Sequence, residues 1–319
     1  MKKVRIGVVG AGYLGKYHAE KYSQMGDVEL VGVVDVDGLQ AAKVANSANT
    51  KAYKNYHDLI GKVEAVSIVV PTRAHFSISK DFLENDIDVL IEKPITTTLK
   101  QADELISISE KRGLIIQVGH LERFNPAVLA LKDIVHNPRF IESHRLSVFK
   151  ERGIDVSVVL DLMIHDIDII ASLVKSEIKN IHAAGTAVIT DQVDIANTRM
   201  EFENGCVANV TASRISTKNE RKTRLFQQDA YISVDFANHE ISIVRKNADE
   251  INSLIPGMEI KNLCFTKGDA LKDELAAFVK AVGNREDPEV TGQVGRDALK
   301  VALSIMEQID YSQKQLIGL

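Results

Sequence analysis

Two side chains suited to proton transfer interrupt an otherwise apolar run, VVLDLMIHDIDIIASLV, over residues 158–174. The run predicts a helix, and the i, i+4 spacing of Asp161 and His165 puts both on one face of it. A buried polar pair is costly unless it is partnered or lines a cavity. Histidine is the side chain most readily poised for proton transfer near neutral pH. Lys93 offers a complementary charge. It lies in Glu92-Lys93-Pro94 at the end of an apolar strand, and the proline disfavours helix at the lysine. A lysine can stabilise an alkoxide and an imidazole can take its proton. The trio therefore suits oxidation of a secondary alcohol, provided that something accepts a hydride. On residues alone, a satisfied core Asp–His pair and an ordinary surface lysine are open alternatives.

The hydride acceptor is implied at the start of the chain. Gly10-Ala11-Gly12-Tyr13-Leu14-Gly15 follows a strand and opens a helix. In this pattern the first glycine makes the tight turn, the second admits a pyrophosphate to the backbone, and the third lets helix and strand pack closely. The helix N-terminus then presents N–H groups and a positive dipole end. Asp35 ends the next strand about twenty residues beyond Gly15, where a carboxylate accepts hydrogen bonds from the adenosine ribose hydroxyls. The same carboxylate repels a 2′-phosphate, and Val36-Asp37 add no cation, so the expected cofactor is NAD rather than NADP.

The elements that must position these groups follow from periodicity. Short β-rich runs at 4–9, 28–35, 65–70, 88–91 and 114–118 alternate with helical patterns at 14–25, 39–47, 74–85 and 99–112. The strands are nearly continuous apolar runs, as in a parallel sheet covered on both faces. Beyond His120 the pattern changes. Helices are expected at 126–135 and 158–174, and strands at 140–149, 178–189, 196–202, 206–213, 231–236 and 240–245. Asn204-Gly205 is a hairpin signal between two of these strands. Helices at 269–282 and 295–308 close the chain. The reading is an α/β protein of two domains. A Rossmann domain with a parallel sheet spans 1–121, and an α+β domain for substrate binding and oligomerisation, with a mostly antiparallel sheet, spans 122–319.

Composition narrows the functions further. A net charge of −5 over 319 residues argues against general nucleic-acid binding. No stretch approaches the roughly 18 apolar residues of a membrane span, so a cytoplasmic protein is expected. Two cysteines, Cys206 and Cys264, form neither a disulfide framework nor a metal-ligand cluster, and no metal is expected. Residues 214–224 hold five cations and one acid. They suit either a solvated strand edge or a phosphorylated substrate held by arginine forks.

Taken in order, GAGYLG, Asp35, VVPTRAH, EKP, GHLERFNP and DLMIHD resemble the Gfo/Idh/MocA oxidoreductase family across essentially the whole chain. The resemblance implies an open C-terminal sheet that often forms a subunit interface, hence a homodimer or homotetramer. It implies that Lys93, Asp161 and His165 are catalytic. It places Pro71, Thr72 and His75 along the cofactor, and Glu92 and Gln117 beside the nicotinamide half. One departure is Ser157-Val158-Val159-Leu160, where many members carry a glycine-rich run. GHLERFNP and Ala212-Ser213-Arg214-Ile215-Ser216 look most like members that oxidise the 3-hydroxyl of UDP-N-acetylglucosamine. In those, a partner aminotransferase converts the ketone to an amine for lipid A. On that reading Arg123, Asn125, His165, Arg214 and Ser216 contact substrate. Other polyols and UDP-sugar uronates are the alternatives within the family. A non-catalytic NAD sensor is the alternative outside it, and it would not need the Lys, Asp and His together.

Overall fold

The computed structural model describes residues 3–150, 156–247 and 256–317. In chain order the first elements are β1 (Val4–Val9), α1 (Tyr13–Ser23), β2 (Val28–Val34), α2 (Gly38–Ser47), β3 (Lys51–Tyr53), β4 (Ala65–Ile68), α3 (His75–Glu84), β5 (Asp88–Glu92), α4 (Leu99–Arg112) and β6 (Ile116–Gly119). There follow α5 (Pro126–Ile134), β7 (Phe140–Leu146), α6 (Ile164–Val174), β8 (Ile178–Thr186), β9 (Ile195–Phe202), β10 (Val207–Ser213) and β11 (Glu220–Phe226). The last are β12 (Ala230–Asp235), β13 (Glu240–Lys246), β14 (Met258–Cys264), α7 (Ala270–Asn284) and α8 (Gly292–Ile317).

These elements form two compact units. The first runs to Leu121 and takes in Asp269–Leu299; the second holds Glu122–Gly268 and the chain from Lys300 onward. The sequence pattern assigned all of 122–319 to the second domain, whereas α7 packs with the first. The reason is apolar. Leu275, Phe278, Val279, Ala281 and Val282 of α7 join Ile6, Val8, Tyr22, Val33 and Leu90 in one buried cluster.

The first unit is a six-stranded sheet in the order β3-β2-β1-β4-β5-β6, parallel throughout. Strand order reverses between β1 and β4, which opens a crevice at the carboxyl ends of the strands. The glycine turn follows β1, and Lys93 follows β5. β4 is buried at every position, and β5 at all but its last residue, as expected with both faces covered. The three-residue β3 was not legible in the sequence, because three residues show no periodicity.

The second unit is an eight-stranded sheet in the order β14-β13-β12-β11-β7-β10-β9-β8. β7 and β10 pair in parallel and the other neighbours are antiparallel. Alternating burial along β9, β10 and β12 gives the sheet one core face and one wetter face. The β9–β10 turn places Gly205 at φ +82°, in the left-handed region that glycine favours. Two strands were not read from sequence. β14 follows a segment that lies outside the described residues. β11 holds the charged run 220–224, whose composition hides its period.

Candidate active site

In the first unit the glycine turn is built as its spacing requires. Gly10 has φ +100°, and a Cβ there would overlap the Val69 carbonyl. A Cβ on Gly15 would overlap the Gly10 carbonyl, so α1 can pack this closely only with glycine. At Gly12 a Cβ would meet no described atom within 4 Å, which leaves the backbone open to a ligand. No side chain caps the α1 N-terminus, and Tyr13 and Leu14 are exposed beside it. Asp35 braces the loop. Its Oδ2 accepts from Ala11 N at 2.7 Å and its Oδ1 from Asp37 N at 2.9 Å. Gln40 Nε2 donates to the Ala11 carbonyl at 2.8 Å. Each Asp35 oxygen keeps a further lone pair for a ribose hydroxyl. The open Gly12 backbone, the uncapped helix and the half-buried carboxylate fit a dinucleotide.

The EKP turn sits at the end of β5, with a cis Lys93–Pro94 peptide and Lys93 half-buried. Glu92 points back to α1: its Oε1 lies 3.2 Å from His18 Nε2, and its carboxyl packs where a Cβ on Gly119 would come within 3.1 Å. Burial pushes the Glu92 carboxyl up, but the His18 contact and the Lys93 charge outweigh it and hold it below the usual range.

The other cofactor-loop residues divide. Pro71 is exposed and Thr72 is half-buried, at a short 3-10 turn (Thr72–Ala74) after β4. His75 is buried, with Nδ1 at 2.9 Å from the Pro94 carbonyl and Nε2 at 2.9 Å from the Val70 carbonyl. It clamps one cofactor loop to the other. Burial lowers its pKa, so the ring is neutral near pH 7 and donates through one nitrogen at a time. Gln117 is fully buried and donates from Nε2 to the Glu274 carbonyl at 3.1 Å. Its place is therefore in the packing of α7, not on an open surface.

In the second unit the Asp161–His165 helix does not begin as an α-helix. Val159–Met163 is a π-helical turn, and α6 follows directly from Ile164. Asp161 lies in the wide turn and His165 in the first α turn, and both are half-buried. Such turns are frequent at functional sites. Ser157, standing where a glycine run was absent, starts the turn. Its Oγ accepts from Val159 N at 3.2 Å, and its carbonyl accepts from Leu160 N at 3.1 Å and Asp161 N at 3.0 Å.

Two further aspartates of the same run fix the helix. Asp166 Oδ2 accepts from Arg145 Nε at 2.7 Å and its Oδ1 from Ser143 Oγ at 3.0 Å, both on β7. Asp168 takes a bidentate pair from Arg123, at 2.5 Å from Nε and 2.9 Å from Nη2. These anchors are buried. A helix with charges on two buried faces can be seated in only one rotation.

The structure gives each expected substrate contact a protein partner. The Arg123 fork is spent on Asp168. Asn125 caps α5, with Oδ1 accepting from Ala127 N at 3.0 Å and Nδ2 donating to the Phe236 carbonyl at 3.1 Å. Arg214 is buried beside Asp194 and bonds the Val156 carbonyl. Ser216, half-buried, donates its N–H to the Ser147 carbonyl at 3.0 Å. The basic run is no strand edge either, because β11 lies inside the sheet between β12 and β7. Its cations meet acids: Arg221 with Glu122 at 3.1 Å, Lys222 with Asp235 at 3.5 Å, Arg224 with Glu142 at 3.4 Å, and Lys218 with Glu220. The excess charge read from residues 214–224 is largely neutralised by nearby carboxylates.

Sequence reasoning missed His18 as the partner of Glu92, and it missed Arg145, Asp194 and Glu274. One signal was present for Glu274: in DELAAFV it falls on the stripe of Phe278 and Val282, where a helix should be apolar. Among the described residues no group of three or more His, Cys, Asp or Glu is placed to hold a metal ion.

Comparison with known proteins agrees with this architecture. Residues 4–120 match the Gfo/Idh/MocA oxidoreductase family, NAD-binding Rossmann fold, and residues 135–233 match the Gfo/Idh/MocA C-terminal domain. The chain is 37% identical to UDP-N-acetylglucosamine 3-dehydrogenase of Acidithiobacillus ferrooxidans, over 97% of this chain and 98% of that one. The solved structure of that enzyme superposes with a TM-score of 0.93 at 36% identity, covering 98% and 99% of the two chains. Myo-inositol 2-dehydrogenase of Thermotoga maritima is 24% identical over 96% of each chain. The chain belongs to the Gfo/Idh/MocA family of NAD-binding oxidoreductases.

Proposed function

We propose that the chain oxidises the 3-hydroxyl of UDP-N-acetylglucosamine to a ketone, with NAD as oxidant. The observation that carries this reading is the end-to-end match to an enzyme of that name, in both sequence and fold. Bound NAD supplies the hydride acceptor. His165 removes the hydroxyl proton, Lys93 stabilises the alkoxide oxygen as the hydride leaves carbon, and Asp161 orients and tunes the base. Asp35, Gly10, Gly12 and Gly15 hold the adenosine and pyrophosphate half, with Tyr13, Leu14, Pro71 and Thr72 around it. Asp166 and Asp168, through Arg145 and Arg123, keep the His165 helix in register. A 3-keto sugar is the substrate of an amine-forming step, so an aminotransferase serving lipid A synthesis is the proposed consumer. A cytoplasmic homodimer or homotetramer, joined through the wetter face of the eight-stranded sheet, completes the proposal.

One observation favours a second reading, a free polyol such as inositol. The cations of residues 218–224 are paired with carboxylates, so they offer less to a nucleotide diphosphate than their sequence suggested. The two separate in one assay. Purified protein is mixed with NAD and each sugar, and NADH absorbance is followed. Reduction with UDP-N-acetylglucosamine and none with inositols is expected. The converse result would replace the nucleotide sugar with a polyol, and no reduction with any sugar would sink the dehydrogenase reading.

A further inference from the structure

Helix α7 carries a carboxyl into the interior of the first unit. Glu274 has no solvent exposure, and neither of its carboxyl oxygens has a hydrogen-bond partner among the described residues. No ion pair with a described cation involves it. Its neighbours are polar but poorly compensated. Gln117 of β6 bonds the Glu274 backbone carbonyl, yet Gln117 Oε1 has no described partner. His18 of α1 meets Glu92 through Nε2, and its Nδ1 is likewise unpartnered.

Among the described residues, the ion pairs around α7 engage other groups, Lys280 with Glu286 among them. On α1, Lys21 is paired with Asp269 at 2.6 Å, and Tyr22 bonds Ser67 Oγ at 2.8 Å. On β1, Arg5 is held by Glu64. At the far end of α7, Arg285 is spent on Asp88. The Glu92 charge disfavours a second charge at Glu274, and Glu274 in turn bears on the buried Tyr22 hydroxyl. An unpaired ionised carboxylate in such a place costs many kcal/mol and neutralises instead. Glu92 is half-buried and already faces His18, so it is the better seat for a negative charge, and Glu274 is the better seat for a proton.

We propose that Glu274 holds a proton at neutral pH and limits the Glu92–Glu274 pair to one negative charge beneath the EKP turn. It is then a positioning residue: it acts through Glu92 on the charge felt by Lys93 and by the nicotinamide. The second half of this claim rests on the NAD-dehydrogenase reading above. Burial and the Glu92 charge both push the Glu274 carboxyl well above the ordinary range, in the direction the geometry requires. The consequence for the cofactor follows from its chemistry. The nicotinamide ring is cationic when oxidised and neutral when reduced, so a second carboxylate charge beneath it favours the oxidised form.

Two measurements on the full-length protein test this. Infrared difference spectra of the native chain and Glu274→Gln, at neutral pH, should show a protonated carboxylic C=O band in the native chain alone. NADH binding by fluorescence, and NAD binding by competition against it, give the ratio of the two dissociation constants. As pH rises through the loss of the infrared acid band, the ratio Kd(NAD)/Kd(NADH) should fall by about threefold or more in the native chain, and over the same pH range it should stay flat in Glu274→Gln. No acid band in the native chain overturns the proton assignment. A ratio that changes equally in both proteins overturns the link to the cofactor. A native chain that shows the band but binds neither nucleotide supports the shared proton and overturns the dehydrogenase reading instead.

Discussion

His165 and Lys93 are assigned to opposite ends of one event, proton loss from oxygen and charge stabilisation on it. Groups that act as a unit are strongly non-additive when removed. His165→Ala is expected to lower turnover by about a hundredfold or more while NADH affinity stays near native. Lys93→Met should lose a similar factor, and the double variant should lose little beyond the worse single one. The kcat values of the four proteins check this. Losses that simply multiply would mean that the two side chains serve separate steps. Both stand out in the sequence because their types are out of place: a histidine in an apolar helix, a lysine at a strand end. Arg123 and Asn125, expected to contact substrate, also hold buried protein partners. Sequence shows that a fork or an amide exists but not what consumes it, and Asp168 lies far along the chain from Arg123. Glu274 needed the tertiary fold, since only the packing of α7 against α1 reveals how deeply it is buried.

At the scale of elements, buried charge seats the Asp161–His165 helix and the hairpin beside it. Arg123 and Asp168 are 10% and 2% exposed as side chains. Removing one member of such a pair leaves an uncompensated charge and costs about 3–5 kcal/mol, whereas replacing both with apolar groups is far less costly. Arg123→Met should therefore lower Tm more than the combined Arg123→Met and Asp168→Leu. The reverse order would show that Asp168 is satisfied without the arginine. The β8–β9 loop is built on Asp194, which has no solvent exposure. Burial pushes its carboxyl up, but Thr190, Val188 and Ile189 donate three backbone N–H groups and Thr190 adds a hydroxyl, which holds it down at about 2. A depressed carboxylate contributes stability above its unfolded value, and that stability is lost as pH falls toward 2. The amount is roughly 2 kcal/mol. Asp194→Asn should be less stable at pH 7 and lose less on acidification, which urea unfolding across about pH 2–5 would measure. Equal slopes in both proteins would remove Asp194 from the account. Sequence could not supply this loop, because its organising carboxylate follows the residues it orders, and its hydrogen bonds go to backbone. The π turn before α6 was equally hidden, since periodicity alone does not distinguish five-residue from four-residue hydrogen bonding.

For the whole molecule, the consequential departure from the sequence pattern is that the first unit is not one continuous stretch of chain. The βα alternation to residue 118 read clearly, and the strand order follows from it by the rules for parallel sheets. Nothing in that pattern announced that α7, after some 150 intervening residues, returns to complete the first core. The energetics make this return necessary. Leu275 and Phe278 are fully buried, with Val279, Ala281 and Val282 close to it. Burying side chains of this size is worth about 1.5–3 kcal/mol each. Together the leucine, phenylalanine and two valines reach roughly 6–12 kcal/mol, comparable to the whole stability of an ordinary domain at about 5–15 kcal/mol. Residues 1–121 expressed alone should therefore lack a cooperative thermal transition. The same residues joined through a flexible linker to 269–299 should regain one, because the helix brings back both the apolar cluster and the Lys21–Asp269 and Arg285–Asp88 ties. Circular dichroism melts of the two proteins decide it. A sharp transition in residues 1–121 alone would mean that the parallel sheet closes its own core, and that α7 is an accessory carrying Glu274 rather than part of the foundation.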